Sequence, residues 1–190
     1  MDPVDALRAG LPVLLPTDTV YGLVGAPGEE AARTLYELKG RARTQPTAVL
    51  AATVEALLDA VPELDAGLLA RLLPGPYTLV VANPAGRFPW LTGGTAGPLG
   101  VRVPQLPTQA HEIVVALGIV LATSANDPGG PNPATLDEVP RRIRDGCAAE
   151  VDLGPLPGLP STVIDLSRGE PRILREGAVP GTEAVRRLRA

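Results

Sequence analysis

The stretch Leu11-Pro12-Val13-Leu14-Leu15-Pro16-Thr17-Asp18-Thr19-Val20-Tyr21-Gly22-Leu23-Val24 constrains the fold more than any other part of this chain. Two apolar runs of strand-like residues flank a polar Thr17-Asp18-Thr19 interruption, and runs bounded in this way read as buried strands. The hydroxyls and the carboxylate then stand where a strand leaves the sheet. In α/β proteins ligands collect at such strand ends, because rigid elements hold the polar groups in place. Gly22 leaves room for a backbone or a ligand to approach. The same residues also suit a threonine-rich turn between two strands, and chemistry alone leaves both readings open.

Two further clusters follow the same plan. Ile119-Val120-Leu121-Ala122 reads as a buried strand running into Thr123-Ser124-Ala125-Asn126, with Asp127-Pro128-Gly129-Gly130-Pro131-Asn132 behind it. Small hydroxyl and amide residues there suit either phosphate binding or ordinary Asx turns. Ser161-Thr162 enters a strand over Val163–Leu166, after a proline- and glycine-rich loop. The chain has only three serines, and two of them, Ser124 and Ser161, fall at these clusters, which favours function over chance.

The basic residues carry a second signal. Of 17, all but Lys39 are arginine. An ammonium is a compact point charge that arginine's planar fork does not duplicate, so a lone lysine marks either a place that needs one or a chance survivor on the surface. Lys39 closes a helix predicted from Glu29 to about Leu38, with Ala31, Ala32, Leu35 and Leu38 as its apolar stripe and Gly40 as its stop. A helix C-terminus attracts cations and accounts for Lys39 alone. Lys39, Arg41 and Arg43 at alternating positions would share one side of an extended segment, which reads as an anion site. Arg102 interrupts a strand over Leu99–Pro104, on the face opposite Val101 and Val103.

The remaining segments alternate between strand and helix patterns, so the class is α/β. Strands are expected at Ala48–Ala52, Tyr77–Ala82, Ala149–Leu153 and Pro171–Gly177. Helices are expected after Thr53 as N-cap, from Pro62 through the leucines 64, 68, 69, 72 and 73, from Thr108 to Gly118, and from about Thr182. Thr135-Leu136-Asp137-Glu138 looks like a capping box, but Pro140 would kink any helix that follows. Trp90 reads as a plug at the edge of the core.

A chain of 190 residues suits one domain spanning 1–190. The net charge of −4 and pI near 5.1 argue against a general nucleic-acid coat, but leave room for a local basic pocket. A single cysteine, Cys147, cannot form an internal disulfide and fits a reducing compartment. The acidic N-terminus lacks the basic start of a signal peptide, and the longest apolar run, Ile113 to Ala122, is too short to span a bilayer. A soluble, cytoplasmic protein is expected. His111 is the only histidine, which with one cysteine makes zinc sites and Cys/His dyads unexpected.

Pro16-Thr17-Asp18-Thr19-Val20-Tyr21-Gly22-Leu23 closely resembles the opening signature of the YrdC-like threonylcarbamoyl-AMP synthase family. Four more motifs follow in the family's order: Lys39-x-Arg41, Val101-Arg102-x-Pro104, Ser124-Ala125-Asn126, and Ser161-Thr162-Val163-Ile164-Asp165 with Ile173-Leu174-Arg175-x-Gly177. The resemblance covers about Leu11 to Gly177 and implies an open, twisted, mixed sheet flanked by helices, with a concave basic cavity. It implies that L-threonine, bicarbonate and ATP become threonylcarbamoyl-AMP and pyrophosphate, for N6-threonylcarbamoylation of adenosine in tRNA. Thr19, Arg102, Thr123 and Ser161 would hold threonine. Lys39, Arg41, Ser124, Asn132 and Arg175 would hold ATP, with Lys39, Arg41 and Arg175 catalytic. Magnesium would accompany the triphosphate, no residue would hold a metal of its own, and tRNA threonylcarbamoyl transferase proteins would act downstream.

The chain departs from the family pattern at Ala42, Gln45, Thr47, Leu50 and Leu106, the last two standing where some relatives carry histidine. It resembles the short, single-domain type. Two other readings fit the same likeness: a non-catalytic protein that binds RNA or nucleotide, and a carbamoyl-transfer module.

Overall fold

The computed structural model describes residues 1–42, 47–92 and 97–190, so Arg43 and Gln45 lie outside the described residues. Among them nine strands form one mixed sheet: β1 (Val13–Pro16), β2 (Tyr21–Gly25), β3 (Ala48–Ala51), β4 (Tyr77–Val81), β5 (Leu99–Arg102), β6 (Ile119–Ser124), β7 (Ala149–Glu150), β8 (Thr162–Asp165) and β9 (Arg172–Arg175). Their order is β7-β1-β2-β6-β3-β5-β4-β8-β9, with β7 and β9 as the two edges of an open sheet. β1 runs parallel to β7, β3 to β5 and β4 to β8, and the other neighbours are antiparallel. This is the open mixed α/β sheet that the sequence predicts.

Seven α-helices accompany it among the described residues: α1 (Pro3–Arg8), α2 (Glu29–Lys39), α3 (Val54–Ala60), α4 (Ala66–Ala70), α5 (Thr108–Leu117), α6 (Arg141–Asp145) and α7 (Gly181–Arg189). α2 stops where predicted, because Gly40 takes φ 64 and its N–H turns back to the Glu37 carbonyl. Thr53 caps α3 by accepting from the Ala56 N–H.

Four local expectations need correction. α1 has no counterpart in the sequence reading, although Asp2 accepts from the N–H groups of Val4 and Asp5 and Pro3 opens the first turn. The leucine-rich helix starts at Ala66 rather than Pro62, because the Asp65 carboxylate caps the Leu68 N–H. It also stops at Ala70, and Leu72 and Leu73 bury themselves from the turn beyond it. β7 keeps only two of the five residues expected, and Thr135 makes no capping bond, whereas the Glu138 carboxylate accepts from the Ala134 N–H.

Strand alternation divides the sheet into two unlike faces. Leu14, Tyr21, Leu23, Val49, Leu79, Val101, Leu121 and Ile164 point to one face, under α2, α3, α4, α6 and α7. Leu79 and Leu121 are fully buried there, and burial of such a side chain contributes about 1.5–3 kcal/mol. On the other face Val13, Leu15, Val24, Leu50 and Val120 pack against Ala6 and Leu7 of α1 and Ile113 and Val114 of α5. That second cover reaches only part of the sheet.

Candidate functional site

The uncovered part of the second face is a cavity of about 310 Å³. Its floor follows the pairing register. Gly22 faces Ser124, Ala122 faces Ala48, Ala48 faces Gly100 and Gly100 faces Val80, and all six residues line the hollow. The same face carries Leu15, Val24, Leu50 and Val120 where helices cover it. Small side chains in the middle of the sheet therefore leave a depression, and large ones beside it anchor the cover.

Polar groups from seven separate stretches ring this floor. Arg102 projects from β5, and its Nη2 donates to the Asp18 carboxylate and, at 2.7 Å, to Thr19 Oγ1. The other Asp18 oxygen accepts from the Gln105 N–H at 3.1 Å. Thr17 Oγ1 accepts from the N–H groups of Thr19 and Val20 and donates to the Val20 carbonyl, which folds the loop between β1 and β2 on itself. Burial lowers the Arg102 pKa and Asp18 opposes that shift; among the described residues Arg102 Nε has no hydrogen-bond partner.

Arg175 reaches the cavity from β9, near enough to Arg102 to feel its charge. Its Nε and Nη2 donate to the Ser161 carbonyl at 3.2 and 2.9 Å, and Nη2 also reaches Ser161 Oγ at 3.2 Å. Ser161 Oγ is in turn 2.7 Å from Thr78 Oγ1. Gly177 makes this approach possible, since a Cβ there would lie 2.3 Å from the Pro160 carbonyl oxygen. Burial first, and then Arg102 and Arg41, lower the Arg175 pKa.

Arg41 Nη1 lies 3.4 Å from Thr123 Oγ1. Burial lowers the Arg41 pKa as well. Lys39 is only 4% exposed and sits behind Ser124. Its ammonium donates to the Ser124 carbonyl, to Ser124 Oγ at 3.2 Å, and to the Asn126 carbonyl and Oδ1 at 2.9 and 2.7 Å. Burial, then Arg41, lowers its pKa from 10.5 to about 8. Arg142 and Arg175 push the same way, and Asp127 resists.

Six of the residues singled out in the sequence, Arg41, Arg102, Thr123, Ser124, Ser161 and Arg175, thus line one hollow. Lys39 and Thr19 join it through Ser124 and Arg102. Asn132 is half-buried in the loop after β6 and is not among the lining residues. His111 lies on α5, away from the lining, and Trp90 packs edge-to-face on Phe88 against the core. Burial pushes the Cys147 thiol up to about 12. Among the described residues no group of three or more His, Cys, Asp or Glu could hold a metal ion, and no helix is long and apolar enough to cross a membrane.

Residues 5–177 match the family model of the Sua5, YciO and YrdC proteins, described as telomere recombination. The chain belongs to this family. It is 36% identical over 202 residues to the human threonylcarbamoyl-AMP synthase, covering 96% of this chain and 68% of the human protein. Its fold superimposes on Pyrococcus abyssi Sua5 complexed with L-threonine with a TM-score of 0.85 at 31% identity, over 97% of this chain. The chain spans 55% of that Sua5 chain. Escherichia coli YciO matches with a TM-score of 0.81 at 25% identity, over 92% of this chain and 87% of YciO.

Within this Sua5/YciO/YrdC frame, several site neighbours escaped sequence reasoning. Asp18 pairs with Arg102 across 84 positions, Asn126 anchors Lys39, Thr78 holds Ser161, and Thr47 lines the cavity. Asp18 and Asn126 lie inside the motifs, so their place was visible while their partners were not. Leu50 and Leu106 join the apolar packing around α1 and α5.

Proposed function

We propose that this chain is an L-threonylcarbamoyladenylate synthase, an enzyme of the nucleotidyltransferase class that condenses L-threonine, bicarbonate and ATP into threonylcarbamoyl-AMP and pyrophosphate, for the N6-threonylcarbamoyladenosine modification of tRNA. The observation that carries it is the gathering of Arg41, Arg102 and Arg175 around one cavity with Lys39 directly behind it. Crowded cations with depressed pKa values favour an anionic ligand, because its charge offsets their mutual repulsion. A volume of about 310 Å³ lies at the low end of small-molecule sites. The name of the human relative and the threonine bound to the Pyrococcus protein support the same substrates.

In this reading the threonine amine adds to bicarbonate with loss of water, giving a carbamate. A carbamate oxygen then attacks the α-phosphorus of ATP and pyrophosphate leaves. Such a transfer needs alignment and cations on the phosphate oxygens more than proton chemistry. Arg102, with Thr19, Thr123 and Ser161, holds threonine. Lys39, Arg41, Ser124 and Arg175 hold the phosphates, and Asn132 serves the nucleotide from its loop. Magnesium arrives on the triphosphate. Asp18 is already bound by Arg102 and Gln105, and among the described residues no carboxylate lines the cavity, so the metal would be held by the triphosphate itself. The product passes to tRNA threonylcarbamoyl transferase proteins in the cytoplasm.

Labelled bicarbonate tests this directly. Label should enter an adenylate only when threonine and ATP are both present. Label incorporation from carbamoyl phosphate without threonine would instead make the chain a carbamoyl-transfer module. RNA binding with no ATP turnover would make it a binding protein.

A further inference from the structure

We propose that Arg142, acting with Asp127, is a positioning residue that fixes where the Lys39 ammonium stands relative to the cavity; its consequence for turnover rests on the reaction proposed above. Lys39 is the last residue of α2, and the final carbonyls of a helix lack donors within it. Arg142, on α6, supplies them. Its guanidinium donates to the Leu38 carbonyl and, at 3.2 Å, to the Lys39 carbonyl. The same guanidinium donates to the carboxylate of Asp127, the residue that follows Asn126.

Lys39 is therefore held at both ends against neighbouring residues of one loop. Its Nζ is tied to Asn126, and its main chain is tied through Arg142 to Asp127. A flexible four-carbon stem does not orient its own charge, and a clamp at both ends does. Three acceptors in different directions also call for a planar fork, which lysine at position 142 could not supply. α6 is seated for this task, because Gly146 at its end leaves the space that the Leu38 side chain fills. The charges facing the ammonium come from four places: Arg41 after α2, Asp127 after β6, Arg142 on α6 and Arg175 on β9. Asp127 favours the charged form, and the three arginines oppose it.

Lys39 is the only lysine, so protein labelled with 13C at the lysine ε-carbon gives one side-chain signal, whose titration reads the ammonium without any assay of activity. Relative to the parent midpoint of about 8, Arg142→Ala should titrate at higher pH and Asp127→Asn at lower pH. kcat/KM for ATP should fall roughly tenfold in Arg142→Ala, with partial recovery in Arg142→Lys. Arg87→Ala, which breaks an ion pair with Glu63 outside the cavity lining, should change neither reading. Midpoints that stay put, or move in the same direction in both variants, overturn the clamp. Opposite shifts in a protein that makes no adenylate uphold the clamp and remove the reaction. If Arg142→Ala does not fold, Asp127→Asn decides alone, and a midpoint that fails to drop overturns the proposal.

Discussion

Two arginines of the cavity, Arg102 and Arg175, are held differently. Arg102 meets a carboxylate, Asp18, with both side chains only 12% and 10% exposed. Arg175 meets the neutral oxygens of Ser161 and, among the described residues, makes no ion pair. The Arg102–Asp18 pair is thus close to electrically balanced, and suits a zwitterion whose own charges cancel. Beside Arg175 a positive surplus remains, which suits a polyanion. A single hollow can therefore sort an amino acid from a triphosphate by charge alone, before shape contributes.

The largest effect expected from disturbing this contrast is on stability. Asp18→Asn leaves a buried guanidinium without its counter-charge, and urea unfolding should show a loss of about 3 kcal/mol. Arg175→Ala should barely alter unfolding but slow adenylate formation roughly tenfold or more, since a charge-assisted bond is worth about 1.5–3 kcal/mol. Equal losses of stability in the two variants would show that both arginines are structural, and the contrast would fail.

A pH series sharpens the comparison. The folded-state value of Lys39, about 8, lies below its ordinary 10.5. Between those limits the unfolded chain binds more protons, so the contribution of Lys39 to stability rises with pH. Turnover should move the opposite way, falling as the ammonium is lost through about 8. Unfolding curves and initial rates at matched pH check both signs. The smallest effect belongs to Glu63→Gln, which loosens an exposed pair with Arg87 and should leave turnover at the parent rate.

Local chemistry made much of this readable in advance. Alternation in Tyr77–Val81 and Leu99–Arg102 marked which side chains face the core, and Gly40 and Thr53 marked helix ends that the fold keeps. The errors came where two local signals compete. Leucine spacing argued for a helix from Pro62, but the Asp65 cap sets the start and Leu72 and Leu73 bury themselves without helical backbone. What no local signal could supply was the partner of each charge. Asp18 finds Arg102 because β1 and β5 belong to one sheet, and Arg142 finds Lys39 because α6 docks on α2. Motif residues were legible as residues; the bonds between them belong to the topology.

β9 is an edge strand, paired only with β8 through a register irregularity at Val163/Ile164, and two of its four residues besides Arg175 are exposed or nearly so. Strands supported on one side open locally at less cost than the body of a domain. Fraying of this hairpin would carry Arg175 away while Arg102, inside the sheet, stays put. The contact of Arg175 with a polyanion would then come and go on a faster clock than that of Arg102, and amide exchange along Arg172–Arg175 should slow when a triphosphate is bound.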